Sequence, residues 1–228
     1  MCPWSSFEAG SIAFCEAREC AWVVEPSNAW SSVAYVLVGL WVWRRTTHPL
    51  SKHVALAAVL IGLGSFAFHA TGTFVGELVD LLGMLLLSGL MLSQAWGRAA
   101  GSSATAVAVR WGVLTLGGLG VVLLVKPAGI PLFAGQLLTA VGLELWLHRR
   151  GQTGNVTPFL QALALTTTAF GVWVLDVTHL VCAPDNHLVT GHAVWHVLNA
   201  LALSRLAAFY QTRVVRPEPT ALLNPEPA

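Results

Sequence analysis

Seven long apolar stretches, separated by short polar segments, dominate the chain. Each is close to the roughly 20 residues that a helix needs to cross about 30 Å of hydrocarbon. Backbone groups in lipid must pair within their own segment, and the stretches are too uniformly apolar for the alternating strands of a transmembrane barrel. The pattern therefore predicts transmembrane helices near residues 29–45, 53–72, 77–96, 106–125, 131–147, 157–180 and 188–210.

Basic residues are distributed unequally between the two ends of such a bundle. When the connections are assigned alternately to the two sides, ten of the twelve Lys and Arg residues fall on one side, and only Arg18 and Lys126 fall on the other. Basic residues accumulate in cytoplasmic connections. We therefore expect an all-α integral membrane bundle of seven transmembrane helices with its N-terminus outside and its C-terminus in the cytoplasm.

The composition agrees with a multi-pass membrane protein. Of the 228 residues 55% are hydrophobic and 10% charged, and the mean hydropathy is +0.67. A net charge of +1 provides no basic field for nucleic acid, and nothing implies an obligate protein partner. We expect an extracytoplasmic segment at 1–28, a transmembrane catalytic domain at 29–210 and a proline-rich, disordered cytoplasmic tail at 211–228.

Polar residues are concentrated on the predicted outer side. Eight of the eleven acidic residues and five of the eight histidines lie there or just inside the adjacent span ends. Charge within a membrane is costly and usually marks a functional site. The concentration predicts a site at the extracytoplasmic end of the bundle.

Three histidines are candidate metal ligands at this end. His192 and His196 are four residues apart, so on a helix they share a face and can bind one zinc ion, although such a pair also occurs for structural reasons. His69 lies at a similar depth in the second span. Three imidazoles with a fourth position open to water are typical of catalytic zinc, while copper, iron and nickel also accept imidazole.

Two further residues could act beside such a metal. Asp80 lies about one turn into the third span, where its carboxylate could accept a proton from water at the metal. The alternative is that Asp80 caps the helix. Ser65 precedes His69 by four residues and shares its helix face.

These residues together resemble the alkaline ceramidase family and its wider superfamily of seven-helix membrane hydrolases, which includes adiponectin-receptor-like and GPI-remodelling proteins. The motifs that carry the resemblance are Glu25-x-x-Asn28-x-x-Ser31, Ser65-x-x-x-His69, Asp80 and His192-x-x-x-His196. Their order and their assignment to successive spans are similar to the ceramidase pattern from about residue 15 to residue 205.

The resemblance implies a role for each of these side chains. The three histidines would bind zinc, Ser65 would stabilise the oxyanion and Asp80 would activate the water. The expected function is zinc-dependent hydrolysis of ceramide, or a related N-acyl lipid, to a fatty acid and a sphingosine-like long-chain amine, which is a step of sphingolipid metabolism. The alternatives are a lipid ester or phospholipid hydrolase of the same superfamily, and a seven-helix lipid receptor with a structural metal.

The resemblance also implies a calcium site next to the zinc, built from the N-terminal segment. Its oxygen ligands here would be Glu16, Glu25 and Asn28. This chain departs from the family pattern because Ala13-Phe14 replaces an aspartate and the tryptophan that follows it. The alternative is that the acidic residues form a solvated rim that binds no ion.

Two remaining expectations concern the outer connections. All four cysteines are predicted to lie outside, where disulfides persist. The resemblance favours a bond between Cys15 and Cys182, although sequence alone does not fix the pairing. Asp176 and His179, at the end of the sixth span, could orient zinc-bound imidazoles through hydrogen bonds or serve only helix packing.

Overall fold

The computed structural model describes residues 1–212, and within this range the chain is all-helical with no β-strand. Of the predicted tail at 211–228, only the first two residues lie within the described range. The helices are α1 Pro26–Ser31, α2 Val33–Arg45, α3 Pro49–Thr71, α4 Phe74–Ala100, α5 Ala104–Gly112, α6 Gly118–Leu124, α7 Gly129–Arg149, α8 Thr157–Val177 and α9 Gly191–Gln211. A π-helical turn at Val113–Gly117 joins α5 to α6, and a 3₁₀ turn at Lys126–Ala128 precedes α7.

Five helical segments are long and apolar enough to cross a membrane. They are α3, α4, the α5–α6 run at Ala104–Leu124, α7 with its preceding turn at Lys126–Arg149, and α8. The first predicted span is too short to meet the length criterion, and the last is not apolar enough to meet the hydropathy criterion. Helix α2 has only 13 residues because the helical run is divided at Ser32, whereas α9 has 21 residues but carries imidazole, amide and guanidinium groups.

The bundle has a tightly packed half and a loosely packed half. In α3 and α4, 61% of the apolar stretch is buried, compared with 17% in α5–α6 and α8 and 22% in α7. Helix α3 packs on α2, α4 and α9, and α2 also packs on α9. The buried core of these helices includes many small side chains, such as Ala57, Ala58 and Ala200. We name α2, α3, α4 and α9 the core half, and α5 to α8 the peripheral half.

Gly64 allows α3 and α4 to approach closely. A Cβ atom at this position would lie 2.7 Å from the carbonyl oxygen of Val79 and 2.8 Å from Cα of Asp80. Any larger residue would push the helices apart, because real Cβ atoms do not approach other atoms so closely. The glycine therefore brings the backbone of Asp80 beside the turn of α3 that carries Ser65.

The N-terminal segment, residues 1–25, contains no helix and covers one end of the bundle. Disulfides join Cys2 to Cys20 and Cys15 to Cys182, so the segment is tied to itself and to the α8–α9 connection. Main-chain hydrogen bonds also fasten it to the α3–α4 turn, where the N–H of Gly10 donates to the carbonyl of Gly72 at 2.9 Å. The same end of the bundle holds the C-terminus of α3 and the N-termini of α4 and α9.

Candidate metal centre

Two helix ends bring the three histidines together. His69 lies in the last turn of α3, which ends at Gly72 in the left-handed conformation that glycine adopts readily (φ 63°). His192 lies in the first turn of α9 and His196 one turn later. Thr190 caps α9 by accepting a hydrogen bond from the backbone N–H of Ala193 at 3.0 Å.

The three imidazoles converge in a buried cluster. Their ring centroids are 4.8 Å apart for His69 and His192, 5.2 Å for His69 and His196, and 4.4 Å for His192 and His196. No side chain of the three is more than 4% exposed. One ligand nitrogen from each lies within 4.8 Å of the other two, and a tetrahedral zinc ion with Zn–N bonds of about 2.1 Å would need nitrogens roughly 3.4 Å apart. The cluster could therefore hold a metal ion after small ring movements.

The hydrogen bonds of the rings leave the Nε2 atoms pointing inward. Nδ1 of His69 lies 2.6 Å from the Glu25 carboxylate, and Nδ1 of His196 lies 2.8 Å from the hydroxyl of Ser31. Nε2 of His69 is 3.1 Å from Nε2 of His192. A partner on the outer nitrogen fixes the orientation of a metal-binding imidazole. The donor set thus fits a divalent metal of the zinc type.

His192 differs from the other two histidines in how it is held. Its Nδ1 atom is buried and has no hydrogen-bond partner within residues 1–212. The ring of Phe14 packs against it with 3.9 Å between centroids, and Phe14 also contacts the ring of His69 at 5.0 Å. The N-terminal segment therefore covers the cluster with an aromatic side chain that excludes water.

Glu25 connects the histidine cluster to the N-terminal segment. Its carboxylate is 2% exposed and accepts hydrogen bonds from Nε of Arg18 at 3.0 Å and from the amide of Asn28 at 3.3 Å, besides its contact with His69. Burial opposes ionisation of Glu25, but the hydrogen bonds from His69 and Arg18, together with the positive charge of Arg18, outweigh it and hold the pKa of Glu25 below its usual value. A charged Glu25 can therefore orient His69.

Ser65 lies beside His196, and Asp80 lines the same cavity. The hydroxyl of Ser65 is 3.2 Å from Nε2 of His196 and 3.0 Å from the hydroxyl of Ser32. Asp80 is half-buried and lines the same cavity as Ser65 and His196, and its side chain has no hydrogen-bond partner within the described part of the chain. An unpaired carboxylate that faces a cavity is free to contact a bound molecule.

Asp176 and His179, for which both imidazole orientation and helix packing were considered, lie at the end of α8. The two carboxylate oxygens of Asp176 accept hydrogen bonds from the backbone N–H groups of Cys15 and His192, each at 3.0 Å. This buried carboxylate thus holds the main chain at Cys15 and at His192, and within residues 1–212 it makes no hydrogen bond to an imidazole ring. His179 is exposed, follows the end of α8 with a φ of 57°, and lies 3.6 Å from the sulfur of Cys182.

Glu16 and Asn28 surround the start of α1. The carboxylate oxygens of Glu16 accept hydrogen bonds from the backbone N–H groups of Ser27 at 2.8 Å and Asn28 at 2.9 Å. The side-chain oxygen of Asn28 accepts a hydrogen bond from the hydroxyl of Thr190 at 2.6 Å. Glu16 therefore caps a helix N-terminus, where a negative charge is favourable.

A cavity of about 440 Å³ leads away from the histidines into the bundle. The ionisable and hydroxyl side chains at its histidine end are Ser65, Glu77, Asp80, His192 and His196. Elsewhere the lining is apolar apart from Tyr35, Thr166, Thr167 and Asn199. Helices α7 and α8 both line it but do not pack on each other within residues 1–212. Two of its lining side chains, Leu138 on α7 and Phe170 on α8, are more than half exposed, so the cavity opens between these helices.

Two side chains of the site carried no signal in the sequence. Phe14 is one of four aromatic residues in the N-terminal segment, and only the fold shows that it is the one that packs on the imidazoles. Glu77 is 2% exposed, and its carboxylate accepts hydrogen bonds from both the backbone N–H and the hydroxyl of Ser11. By contrast, Ser31 follows Asn28 by three residues, a spacing that places these two side chains on one helix face.

Comparison with known proteins assigns the family. No curated protein matches the chain at a significant level. The family model described as ceramidase matches residues 8–220, which include every side chain of the histidine cluster, the cavity wall and most of the N-terminal segment. The chain therefore belongs to the ceramidase family.

Proposed function

We propose that this protein is a zinc-dependent intramembrane amidase that hydrolyses ceramide, or a related N-acyl lipid, to a fatty acid and a long-chain amine. Membership of the ceramidase family implies a hydrolase that acts on lipid amides. The observation that carries the proposal is the convergence of three buried imidazoles at the polar end of an apolar cavity that also contains Asp80 and Ser65.

The roles of the side chains follow from their positions. His69, His192 and His196 would hold the metal, which when bound supplies a Lewis acid for the amide carbonyl and lowers the pKa of water to about 7. Ser65 lies beside His196, where its hydroxyl can donate a hydrogen bond to the carbonyl oxygen as negative charge develops on that atom.

Asp80 is the proposed general base. Its unpaired carboxylate accepts a proton from the attacking water while the new carbon–oxygen bond forms. When the carbon–nitrogen bond breaks, the same proton passes to the nitrogen, which leaves as an amine. General acid–base catalysis of this kind typically contributes about 10²- to 10⁴-fold to the rate.

The cavity suits a lipid with an apolar chain and a polar linkage. An acyl chain would lie among the apolar side chains of α4, α7, α8 and α9, while the amide meets the histidines at the polar end. The opening between α7 and α8 faces the region where lipid would surround the bundle. A substrate could therefore enter sideways without leaving the membrane.

We further propose that α1–α2 and α9 complete a bundle of seven spans, with the histidines at its extracytoplasmic end. Ser32 itself has helical torsion angles (φ −60°, ψ −24°), so Pro26–Arg45 forms one nearly continuous run of helix. Its outer face carries exposed apolar side chains such as Leu37 and Trp41, as does α9 at Val197 and Leu201. Reporter fusions after residues 25, 48 and 212 would test this topology, which predicts outside, cytoplasmic and cytoplasmic positions.

The substrate class can be tested with matched lipids. The purified protein would receive a ceramide and an analogue in which an ester replaces the amide and both chains are retained, and fatty acid release would be measured. The proposal predicts hydrolysis of the amide at a rate that falls about 10²- to 10⁴-fold in Asp80→Asn. Cleavage of the ester with no cleavage of any amide would identify a lipid esterase instead.

A further inference from the structure

The start of α1 carries more negative charge than a helix N-terminus requires. Glu16 and Glu25 are both almost completely buried there, and Glu19 lies nearby. The family resemblance predicts calcium at this place. Calcium in proteins takes six to eight oxygen ligands at about 2.3–2.6 Å, so a site needs oxygens that converge on one point.

The side-chain oxygens of Glu16, Glu25 and Asn28 already accept hydrogen bonds from other groups. Glu16 uses both carboxylate oxygens to accept backbone N–H groups of α1, and one of them also accepts from the ring of His187 at 3.0 Å. Glu25 uses both for Arg18, His69 and Asn28. Since the Asn28 oxygen accepts from Thr190, these side chains offer no group of convergent, free oxygens, and they do not fit calcium.

A side-chain cation stands among these carboxylates instead. Nε of Arg18 donates to Glu25 at 3.0 Å, and Nη2 of the same guanidinium donates to the carbonyl of Ile12 at 3.4 Å. Arg18 therefore links the two ends of the stretch that carries Phe14 over the histidines. A guanidinium stays charged at every physiological pH, so this link does not depend on a dissolved ion.

We propose that Arg18 replaces calcium in this protein. It supplies the positive charge that neutralises Glu25, holds residues 12–25 closed over the histidine cluster, and thereby positions Glu25 against His69. Arg18 is a positioning residue, because it contacts neither the metal ligands nor the cavity. The inference does not depend on which lipid is hydrolysed.

The test compares calcium binding and thermal stability in four proteins. They are the wild type, Arg18→Gln, Arg18→Lys, and Arg44→Gln, in which the same change is made at an exposed arginine at the end of α2. Each would be purified in detergent, and radioactive calcium binding and the apparent Tm would be measured in EGTA and in millimolar calcium. Neither readout requires turnover, so failure of the proposed amidase activity would be recognised separately.

The proposal predicts that wild type and Arg44→Gln bind no calcium and have the same Tm in EGTA and in calcium. In EGTA, Arg18→Gln should melt about 4–8 °C lower, because the buried Glu25 loses a charged partner, and Arg18→Lys should recover at least half of the loss. Stoichiometric calcium binding by the wild type, or a Tm that EGTA lowers, would overturn the proposal. So would an Arg18→Gln protein as stable as Arg44→Gln.

Discussion

The two halves of the bundle differ in packing and contribute differently to the site. The core half contains the two most deeply buried spans, α3 and α4, and supplies the three histidines, Ser65 and Asp80. The peripheral half buries less than a quarter of its apolar stretches and supplies mainly apolar lining to the cavity. Hydrolysis needs atoms held to within fractions of an ångström, whereas an acyl chain needs only volume and an apolar surface.

This difference indicates where a substitution should affect catalysis and where it should affect substrate choice. A change in the core half should alter the rate for every substrate, or the stability of the whole bundle. A change in the peripheral half should leave the histidines in place and alter which chains fit. The predictions that follow test this division, from the largest expected effect to the smallest.

Asp80→Asn should have the largest effect on catalysis. The substitution keeps the shape of the side chain but removes the proposed general base, so kcat should fall by about 10²- to 10⁴-fold for all substrates. Metal content and Tm should remain those of the wild type. Asp185→Asn, in the exposed α8–α9 connection, is the matched control and should retain full activity. An active Asp80→Asn protein would remove Asp80 from the mechanism.

Gly64→Ala in the core half should lower stability more than the same substitution in the peripheral half. The added Cβ would meet the backbone of Val79 and Asp80 below 3.0 Å, and overpacking of this kind costs about 1–3 kcal/mol. The same substitution at Gly142 in α7 meets nothing within 4 Å and should be neutral or slightly stabilising. Thermal unfolding of both variants checks the prediction. Equal Tm values would contradict the close approach of α3 and α4.

The sequence predicted the metal-binding side chains of the core half better than the residues that orient them. The four-residue spacing placed His192 and His196 on one helix face, and the similar depth of His69 in another span suggested it as the third ligand. No local pattern predicted that Glu25 would contact His69, 44 residues away in sequence. That contact depends on the path of the N-terminal segment across the bundle.

The N-terminal segment and the helix ends were harder to predict for the same reason. Arg18 was counted as a minority charge on the outer side, and its contact with Glu25 required the fold. Asp176 was expected either to orient an imidazole or to serve helix packing, and only the tertiary structure shows that it accepts hydrogen bonds from the backbone N–H groups of Cys15 and His192. Hydropathy located the apolar stretches but could not show that Ser32 would divide the first one.

Ala134→Phe should change the preference for acyl chain length without moving the histidines. Ala134 lines the cavity from α7, and a phenyl ring there would displace about two methylene groups of a bound chain, worth about 0.8 kcal/mol each. Hydrolysis of ceramides with long acyl chains should fall about tenfold, and that of short ones should change little. Leu123→Phe, on the exposed surface of α6, is the control. An equal loss of hydrolysis for all chain lengths would contradict the proposed division of roles between the two halves.

His187→Gln should produce the smallest effect, and only at low pH. A hydrogen bond to Glu16, assisted by the charges of Glu16, Glu19 and Asp185, raises the pKa of His187. Because its pKa is higher in the folded state, protonation of His187 stabilises the fold. This stabilisation is complete below the pKa of the unfolded state, about 6.5, and is lost as the pH rises through the pKa of the folded state. The Tm difference from wild type should therefore be largest near pH 5.5 and vanish at alkaline pH. A difference independent of pH would contradict this assignment.

The most direct test of the central claim is the metal content of the purified protein, measured together with ceramide hydrolysis. The wild type should carry about one zinc ion per chain, and His69→Ala, His192→Ala and His196→Ala should each lose both metal and activity. Zinc added to chelator-stripped wild type should restore hydrolysis. Hydrolysis by a metal-free wild type, or a histidine variant that keeps both zinc and turnover, would contradict the account.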